Sequence, residues 1–335
     1  MLTSQDVATH LDALAKPPGS LGRLEEVATK LAIAANTLAP VTRPRTLLVF
    51  AADHGVVADG VSAWPQSVTA ALVRLIADQR AVSSALARAQ GCDLRLIDVG
   101  TVAADAGPWP LHVCSARIAE GTASLAHGPA MTVAQFDAAL ALGMCEAETA
   151  IAAGARLLLT GEIGIGNTTA AAALVALLTK VSAEDATGRG AGADDAMLAR
   201  KIAIVDRAVS TASVLMDTDP RAAMAAVAGF EIVAMAGATI AAARLGVPVL
   251  LDGLVSTAAA LMAARLDAGG SRTCIAGHRS AEPGHGHALA ALGLAPVLEW
   301  EMRLGEGSGA LVALPLLDSA AALLCDVARL ADVTG

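Results

Sequence analysis

Six short apolar runs alternate with longer segments rich in alanine and leucine, and no other feature constrains the fold of this chain as strongly. Several of the runs are apolar throughout, which is typical of strands that are covered on both faces of a sheet. Strands that alternate with helices predict βαβ units. We therefore predict an α/β fold with an open, mostly parallel sheet flanked by helices.

The predicted strands lie at residues 46–50, 94–99, 156–160, 247–251 and 273–276, with a weaker strand at 111–113. The helical segments between them lie at residues 68–90, 132–153, 168–179, 199–216, 229–245 and 254–268. Before the first strand, a proline pair and a glycine turn precede a helix that we expect to begin near Ser20 or Leu21. Residues 40–45, with a proline near each end, are predicted to link this segment to the first strand.

Composition excludes several classes of function. The net charge of −9 argues against a nucleic-acid-binding face, which requires basic residues. The five cysteines contain no C-x-x-C pair, so neither a zinc site nor a disulfide framework is expected, and a reducing cytoplasm fits best. The apolar runs are interrupted short of the ~18–20 residues of a membrane span, and the amino terminus lacks a secretory signal pattern. We expect no membrane, metal or cofactor.

Hydrophobic residues make up 55% of the chain, whereas aromatic residues make up only 2% and tyrosine is absent. The core must therefore consist of leucine, valine and isoleucine, with close helix contacts through alanine. Large apolar patches are rare on the surfaces of monomers. This apolar composition therefore indicates that part of the surface is covered in an oligomer.

Glycines and polar residues gather immediately after the predicted strands. Acidic residues occur there at Asp53, Glu162 and Asp252, and the fifth long strand is followed by Gly277 and His278. The strand at 94–99 includes Asp98 near its end and is followed by Gly100. Open α/β sheets bind ligands at the carboxyl ends of their strands. The pattern predicts one shared site at that edge of the sheet.

One carboxylate near the carboxyl terminus stands out because glycines surround it. Glu306 lies between Gly305 and Gly307, with Gly309 close behind and a long apolar run following. Glycine permits close approach of the backbone to a ligand and positive φ angles. Glu306 is therefore a candidate general base. The alternative is a glycine-rich turn that carries a solvated glutamate.

Residues 161–169, G-E-I-G-I-G-N-T-T, follow a strand and open a helix that Asn167 or Thr168 could cap. Free amides at a helix start suit a phosphate or carboxylate, which favours an anion site over a purely structural turn. A dinucleotide-binding fingerprint would require a third glycine at position 169, where the chain has threonine. A Walker A lysine is also missing.

Three further motifs leave alternatives open. The glycine cluster at 188–192, with Lys201 beyond it, fits a flexible loop and a solvated helix face better than a phosphate contact. His285 and His287 fit a polar loop better than a metal pair, because no third ligand has suitable spacing. Asp53 and His54 have no serine nucleophile motif beside them and are interpreted as loop structure near the site.

Together these stretches resemble the nicotinate-nucleotide–dimethylbenzimidazole phosphoribosyltransferase family, and the resemblance runs nearly from end to end. The matching stretches are K-P-P-G-S-L-G-R at 16–23, A-D-H-G-V at 52–56, G-P-A-M at 128–131, the segment 161–169, L-L-D-G at 250–253, S-A-E at 280–282 and R-L-G-E-G-S-G-A at 303–310.

The resemblance implies transfer of the 5-phosphoribosyl group of nicotinate mononucleotide to 5,6-dimethylbenzimidazole, with inversion at C1′. It implies a Rossmann-like α/β domain at residues 45–299, a small helical lobe at 1–44 and 300–335, and a homodimer. Glu306 matches the catalytic glutamate of the family. The substrate-binding positions that the resemblance implies are Glu162, Gly164, Lys201, Ser280, Leu304 and Gly305.

At the base pocket, Trp64 and Leu72 depart from the residues expected from the family. The preferred base is therefore uncertain, whereas the reaction type is not. Two other functions remain as alternatives: a nicotinamide-dependent oxidoreductase, which the missing third glycine disfavours, and a nucleotide-binding protein without turnover.

Overall fold

Six parallel strands form a single sheet in the order β3-β2-β1-β4-β5-β6. The fold was analysed in a computed structural model, which describes residues 1–102 and 109–334. The strands are β1 (Arg45–Ala52), β2 (Asp93–Gly100), β3 (Val113–Ser115), β4 (Leu157–Ile163), β5 (Val249–Leu251) and β6 (Cys274–Ala276). The predicted α/β class and parallel sheet are confirmed. The weak strand predicted at 111–113 is displaced by two residues toward the carboxyl terminus.

Helices cover both faces of the sheet. The helices are α1 (Ser4–Asp12), α2 (Arg23–Ala35), α3 (Ser67–Ala77), α4 (Val82–Gln90), α5 (Val133–Ala152), α6 (Asn167–Thr179), α7 (Ala183–Ala186), α8 (Asp195–Ser213), α9 (Pro220–Val227), α10 (Phe230–Leu245), α11 (Leu254–Leu266), α12 (Pro283–Ala291), α13 (Ser308–Asp326) and α14 (Leu330–Thr334). A short 3₁₀ helix spans Gly55–Asp59.

Strand β1 shows why the sequence of its residues 47–52 is apolar throughout. Leu48 and Phe50 are buried in a core cluster with α5, α6, α10 and α11, whereas Leu47 and Val49 are buried in a second cluster with α3, α4 and α13. Successive side chains of a strand point to opposite faces, so a strand covered on both sides needs apolar residues at every position.

The helical segment predicted at 68–90 consists of two helices, because α3 ends at Ala77 and α4 begins at Val82. Gln79, between them, has a φ angle of 56° in the left-handed region. A residue in that conformation cannot continue a right-handed helix. Glycine would adopt this conformation at little cost.

Alanine and glycine allow α5 and α10 to pack very closely. A Cβ atom on Gly143 of α5 would lie 1.8 Å from the carbonyl oxygen of Ala234. A Cβ atom on Gly237 of α10 would lie 2.1 Å from the carbonyl oxygen of Leu140. The two backbones therefore approach to a distance that no larger residue permits, which explains how a core with few aromatic side chains is filled.

Helix α13 joins two parts of the core. Its first half packs on the sheet through Leu311 and Leu314, and its second half packs against α1 and α2 through Leu323 and Leu324. The division into a lobe at 1–44 and 300–335 remains a prediction. By length and composition alone α13 could cross a membrane, although Pro315 lies within it and 61% of the apolar window is buried in the protein. Its packing is that of a core helix.

Candidate active site

A cleft of about 290 Å³ opens at the carboxyl ends of β4, β5 and β6. The loop between α12 and α13 covers one side of the cleft, and the loop between the 3₁₀ helix and α3 covers another. Eight of the nine site residues chosen from the sequence line it: Trp64, Leu72, Glu162, Gly164, Ser280, Leu304, Gly305 and Glu306. The ninth, Lys201, lies behind the wall of the cleft.

Glu306 is held rigidly at the inner end of its loop. Its exposed fraction is 5%, so the alternative of a solvated glutamate is wrong. Its φ angle is 60°, and its backbone N–H donates to the carbonyl of Glu162 at 3.2 Å. One carboxylate oxygen, Oε2, accepts hydrogen bonds from the backbone N–H of Ser83 at 3.2 Å and from the Ser83 hydroxyl at 2.9 Å.

Two glycines allow the loop of Glu306 to lie directly against β4. A Cβ atom on Gly161 would lie 2.6 Å from the backbone nitrogen of Gly307. Gly305 has a φ angle of 87°, and a Cβ atom there would lie 2.5 Å from Oε1 of Glu162. Any side chain at either position would push the two glutamates apart.

Asp252, at the end of β5, anchors the same loop from the other side. Its Oδ1 accepts from the backbone N–H groups of Gly309 at 2.7 Å and Ala310 at 3.3 Å, and its Oδ2 accepts from Gly307 at 3.1 Å. Helix α13 has no side-chain cap of its own, because its N-cap residue is Gly307. Asp252 therefore caps α13 from a distant part of the sequence. The sequence pattern predicted an acid after β5 but did not indicate this partner.

Glu162 shares the inner wall with Glu306. Burial raises the pKa of the Glu162 carboxyl well above its usual value, and the nearby carboxylates of Asp252, Glu231 and Glu306 raise it further. The side-chain amide of Asn167 donates to Glu162 Oε2, which opposes the shift. The prediction that Asn167 or Thr168 caps α6 is wrong: Gly166 occupies the N-cap position and Asn167 binds Glu162 instead.

The turn at 164–166 rests on a buried ion pair outside the cleft. His54 Nε2 lies 2.9 Å from Glu231 Oε1, and both side chains are at most 1% exposed. A Cβ atom on Gly164 would lie 3.3 Å from His54 Nε2. Burial lowers the pKa of His54, but the Glu231 carboxylate outweighs this effect and the net shift is upward. His54 therefore supports the turn at 164–166 from outside the cleft, which agrees with its interpretation as loop structure near the site.

Lys201 is buried, with an exposed fraction of 1%, so the solvated-helix interpretation is wrong. Its Nζ donates to Thr168 Oγ1 at 2.8 Å and to the carbonyl of Gly188 at 2.9 Å. Thr168 and Gly190 line the cleft, whereas Lys201 lies one layer behind them. Burial lowers the pKa of Lys201 to about 8, although the Glu282 carboxylate favours the charged form.

Glu282 and His285 fix the remaining polar wall. Glu282 Oε1 accepts from the backbone N–H of Gly190 at 2.9 Å, which ties the glycine loop to α12. His285 Nδ1 accepts from the backbone N–H of Ser280 at 2.8 Å, so its Nε2 carries the proton and donates to Thr257 at 2.9 Å. Burial lowers the pKa of His285 to about 3, and the ring stays neutral. Both its nitrogens are thus occupied in positioning Ser280.

His285 and His287 do not belong to a metal centre in the described part of the chain. Within residues 1–102 and 109–334, no group of three or more histidine, cysteine, aspartate or glutamate side chains is arranged to hold a metal ion. The structure therefore gives no support to the interpretation of His285 and His287 as a metal pair.

The outer end of the cleft is apolar. Val68, Leu72 and Leu304 line it, and Leu304 is 54% exposed. Trp64 lies at the rim, and its indole Nε1–H donates to the carbonyl of Ala191 at 3.0 Å. This hydrogen bond joins the rim of the apolar end to the glycine loop at 188–192. Trp64 therefore spans the mouth of the cleft between its apolar and polar ends.

Known proteins of one kind match this chain along most of its length. The model of a phosphoribosyltransferase family matches residues 3–334. The nicotinate-nucleotide–dimethylbenzimidazole phosphoribosyltransferase of Azotobacter vinelandii is 44% identical over 319 residues, covering 95% of this chain and 90% of the relative. The protein of the same name from Thermus thermophilus is 44% identical over 317 residues, covering 94% and 93%. The crystal structure of CobT from Thermus thermophilus matches with a TM-score of 0.92 at 41% identity, covering 99% of this chain and 98% of that chain.

Proposed function

The chain belongs to the nicotinate-nucleotide–dimethylbenzimidazole phosphoribosyltransferase family, and from this premise we propose that Glu306 is the general base of its phosphoribosyl transfer. The substrates are nicotinate mononucleotide and 5,6-dimethylbenzimidazole or a related base. The products are α-ribazole 5′-phosphate and nicotinate. The observation that carries the proposal is the buried carboxylate of Glu306, which lines the cleft with one oxygen held by Ser83.

The reaction exchanges one bond at C1′ of the ribose. The unprotonated ring nitrogen of the base attacks C1′ from the face opposite nicotinate, which inverts the configuration. The bond from C1′ to the pyridine nitrogen breaks, and its electron pair neutralises the positive charge of that nitrogen. The leaving group therefore needs no proton. The base must lose the proton on its other ring nitrogen, and Glu306 accepts it.

The two glutamates of the inner wall are suited to different tasks. The upward shift in the pKa of Glu162 favours a protonated carboxyl, which can donate a hydrogen bond to a ribose oxygen. Glu306 receives two hydrogen bonds at Oε2, an arrangement complementary to a carboxylate. Neighbouring carboxyl groups with different environments are a common way to divide acid and base roles.

The polar and apolar ends of the cleft suit the two substrates. The start of α6 and the glycine loop at 188–192 form the side of the cleft that suits the 5′-phosphate, because a helix start carries a partial positive charge and the charge of Lys201 lies directly behind them. Ser280 is positioned by His285 on the same side. The apolar end near Leu72, Leu304 and Trp64 suits a flat, hydrophobic base. We further propose that the enzyme is a cytoplasmic homodimer, which its five free cysteines and apolar composition support.

The test is a mixture of the protein with nicotinate mononucleotide and 5,6-dimethylbenzimidazole, in which release of nicotinate is followed. We expect Glu306→Gln to lower kcat by ~10²–10⁴-fold while nucleotide binding persists, because the proton acceptor is lost and the binding contacts remain. Glu301→Gln is the matched control, since Glu301 is exposed on the same loop. Near-normal turnover of Glu306→Gln would remove Glu306 from the mechanism. Binding without nicotinate release in the unmodified protein would favour the alternative of a binding protein.

A further inference from the structure

We propose that Ser83 is a positioning residue for this reaction, because it holds one oxygen of Glu306 and leaves the other to the incoming base. The inference rests on the proposed role of Glu306 as general base. Ser83 does not line the cleft and acts only through Glu306.

Both hydrogen bonds from Ser83 end on the same atom. The backbone N–H and the hydroxyl donate to Glu306 Oε2 at 3.2 Å and 2.9 Å, and Ser83 is fully buried. No donor from residues 1–102 or 109–334 bonds to Oε1 of Glu306. Two donors on one oxygen fix the rotation of the carboxylate group. The proton-accepting oxygen is thus oriented before the base arrives, which lowers the entropic cost of the reaction.

The break between α3 and α4 makes this contact possible. Ser83 is the second residue of α4, and amides in the first turn of a helix have no acceptor within the helix. In an uninterrupted helix the Ser83 amide would bind the carbonyl of Gln79. That carbonyl instead accepts a hydrogen bond from Arg88 Nη1 at 2.7 Å. The restart of the helix therefore directs a free amide, and the positive end of the helix, toward Glu306.

Other charged groups face Glu306 from the sheet. Glu162 lies on β4, and Asp252, which follows β5, is paired with His278 after β6. Glu231 on α10 is close enough to Glu162 to raise its pKa. The Ser83→Ala substitution leaves all four of these groups unchanged. A loss of turnover in that variant therefore reports on the donor that was removed and not on a change among these neighbouring charges.

The experiment compares Ser83→Ala with Ser84→Ala. Ser84 is the matched control, because it is the next residue on α4 and its hydroxyl is buried without a hydrogen-bond partner in the described part of the chain. We expect Ser83→Ala to lower kcat about tenfold, the loss typical for one hydrogen bond to a charged group. The KM for nicotinate mononucleotide should stay within about twofold, because Ser83 does not contact the cleft.

Ser83→Cys provides a second, nearly isosteric variant with a weaker donor, and its kcat should fall between those of Ser83→Ala and the unmodified enzyme. Circular dichroism checks that each variant folds. If Ser83→Ala matches Ser84→Ala in kcat while Glu306→Gln is inactive, the positioning role is wrong and the base role stands. If Glu306→Gln itself turns over normally, the proposed function of Glu306 fails first.

Discussion

The pH dependence of stability provides a quantitative test of the buried Lys201. Burial lowers the pKa of Lys201 from 10.5 to about 8 in the folded protein, whereas the unfolded chain keeps the ordinary value. Below pH 8 the lysine is charged in both states, so the folded protein bears the whole cost of a buried charge. Between pH 8 and 10.5 the unfolded chain binds more protons, and stability rises with pH.

The size of the effect follows from the two pKa values. The difference is about 2.5 units, between 10.5 and about 8, and each unit corresponds to ~1.4 kcal/mol. The contribution of Lys201 to the free energy of unfolding should therefore rise by about 3 kcal/mol as the pH increases from 7 to 10.5. No such gain is possible in Lys201→Met, which cannot titrate.

Urea unfolding followed by circular dichroism measures both proteins across this pH range. Groups that titrate alike in both proteins cancel when the two free energies are subtracted. We expect the unmodified protein to gain about 3 kcal/mol relative to Lys201→Met, with the steepest change between pH 8 and 10.5. A difference that stays constant with pH would refute the shift. A gain would show that the fold retains a costly internal cation, which a phosphate bound in the cleft, on the other side of Thr168 and Gly190, would explain.

Two further predictions concern the break between α3 and α4 and the mouth of the cleft. Gln79→Gly should raise the free energy of unfolding by ~0.5–1 kcal/mol in a urea titration, because the relief of left-handed backbone strain at φ 56° exceeds the entropic cost of a glycine. Gln5→Gly, within α1, is the control and should lower the free energy of unfolding in the same titration. Trp64→Phe removes the hydrogen bond to Ala191 and should raise the KM for the base by ~3–10-fold. Trp300 is exposed and lies outside the cleft, so Trp300→Phe should leave this KM unchanged. An unchanged KM in Trp64→Phe would show that the indole does not close the mouth.

The sheet and the location of the site could be predicted because their signals are local. In the run at 46–50, every position after Thr46 is apolar, as a strand covered on both faces requires. Glu306 was conspicuous because glycines flank it in the sequence itself. The resemblance to the phosphoribosyltransferase family is confirmed by the match over residues 3–334.

Most of the contacts that hold the site together could not be predicted, because they join distant parts of the chain. Asp252 caps a helix that begins 56 residues later, at Ser308. Ser83 binds an acid separated from it by 223 residues. The break before Ser83 depends on one residue, Gln79, whose left-handed conformation no propensity favours. Lys201 was wrongly placed on a solvated face because periodicity does not reveal that its amine is enclosed by Thr168 and Gly188.

The three buried acids of the cleft are all held by groups at the starts of helices. Glu162, Asp252 and Glu306 are buried close together, and none forms an ion pair with lysine or arginine in the described part of the chain. Each is instead held by donors at the start of a helix: Asn167 of α6 for Glu162, the first amides of α13 for Asp252, and Ser83 of α4 for Glu306. A neighbouring cation would stabilise a carboxylate strongly and weaken it as a proton acceptor. Helix starts provide weaker partial charges. They can orient the acids without neutralising them, and they leave Lys201 available to offset the charge of a bound phosphate.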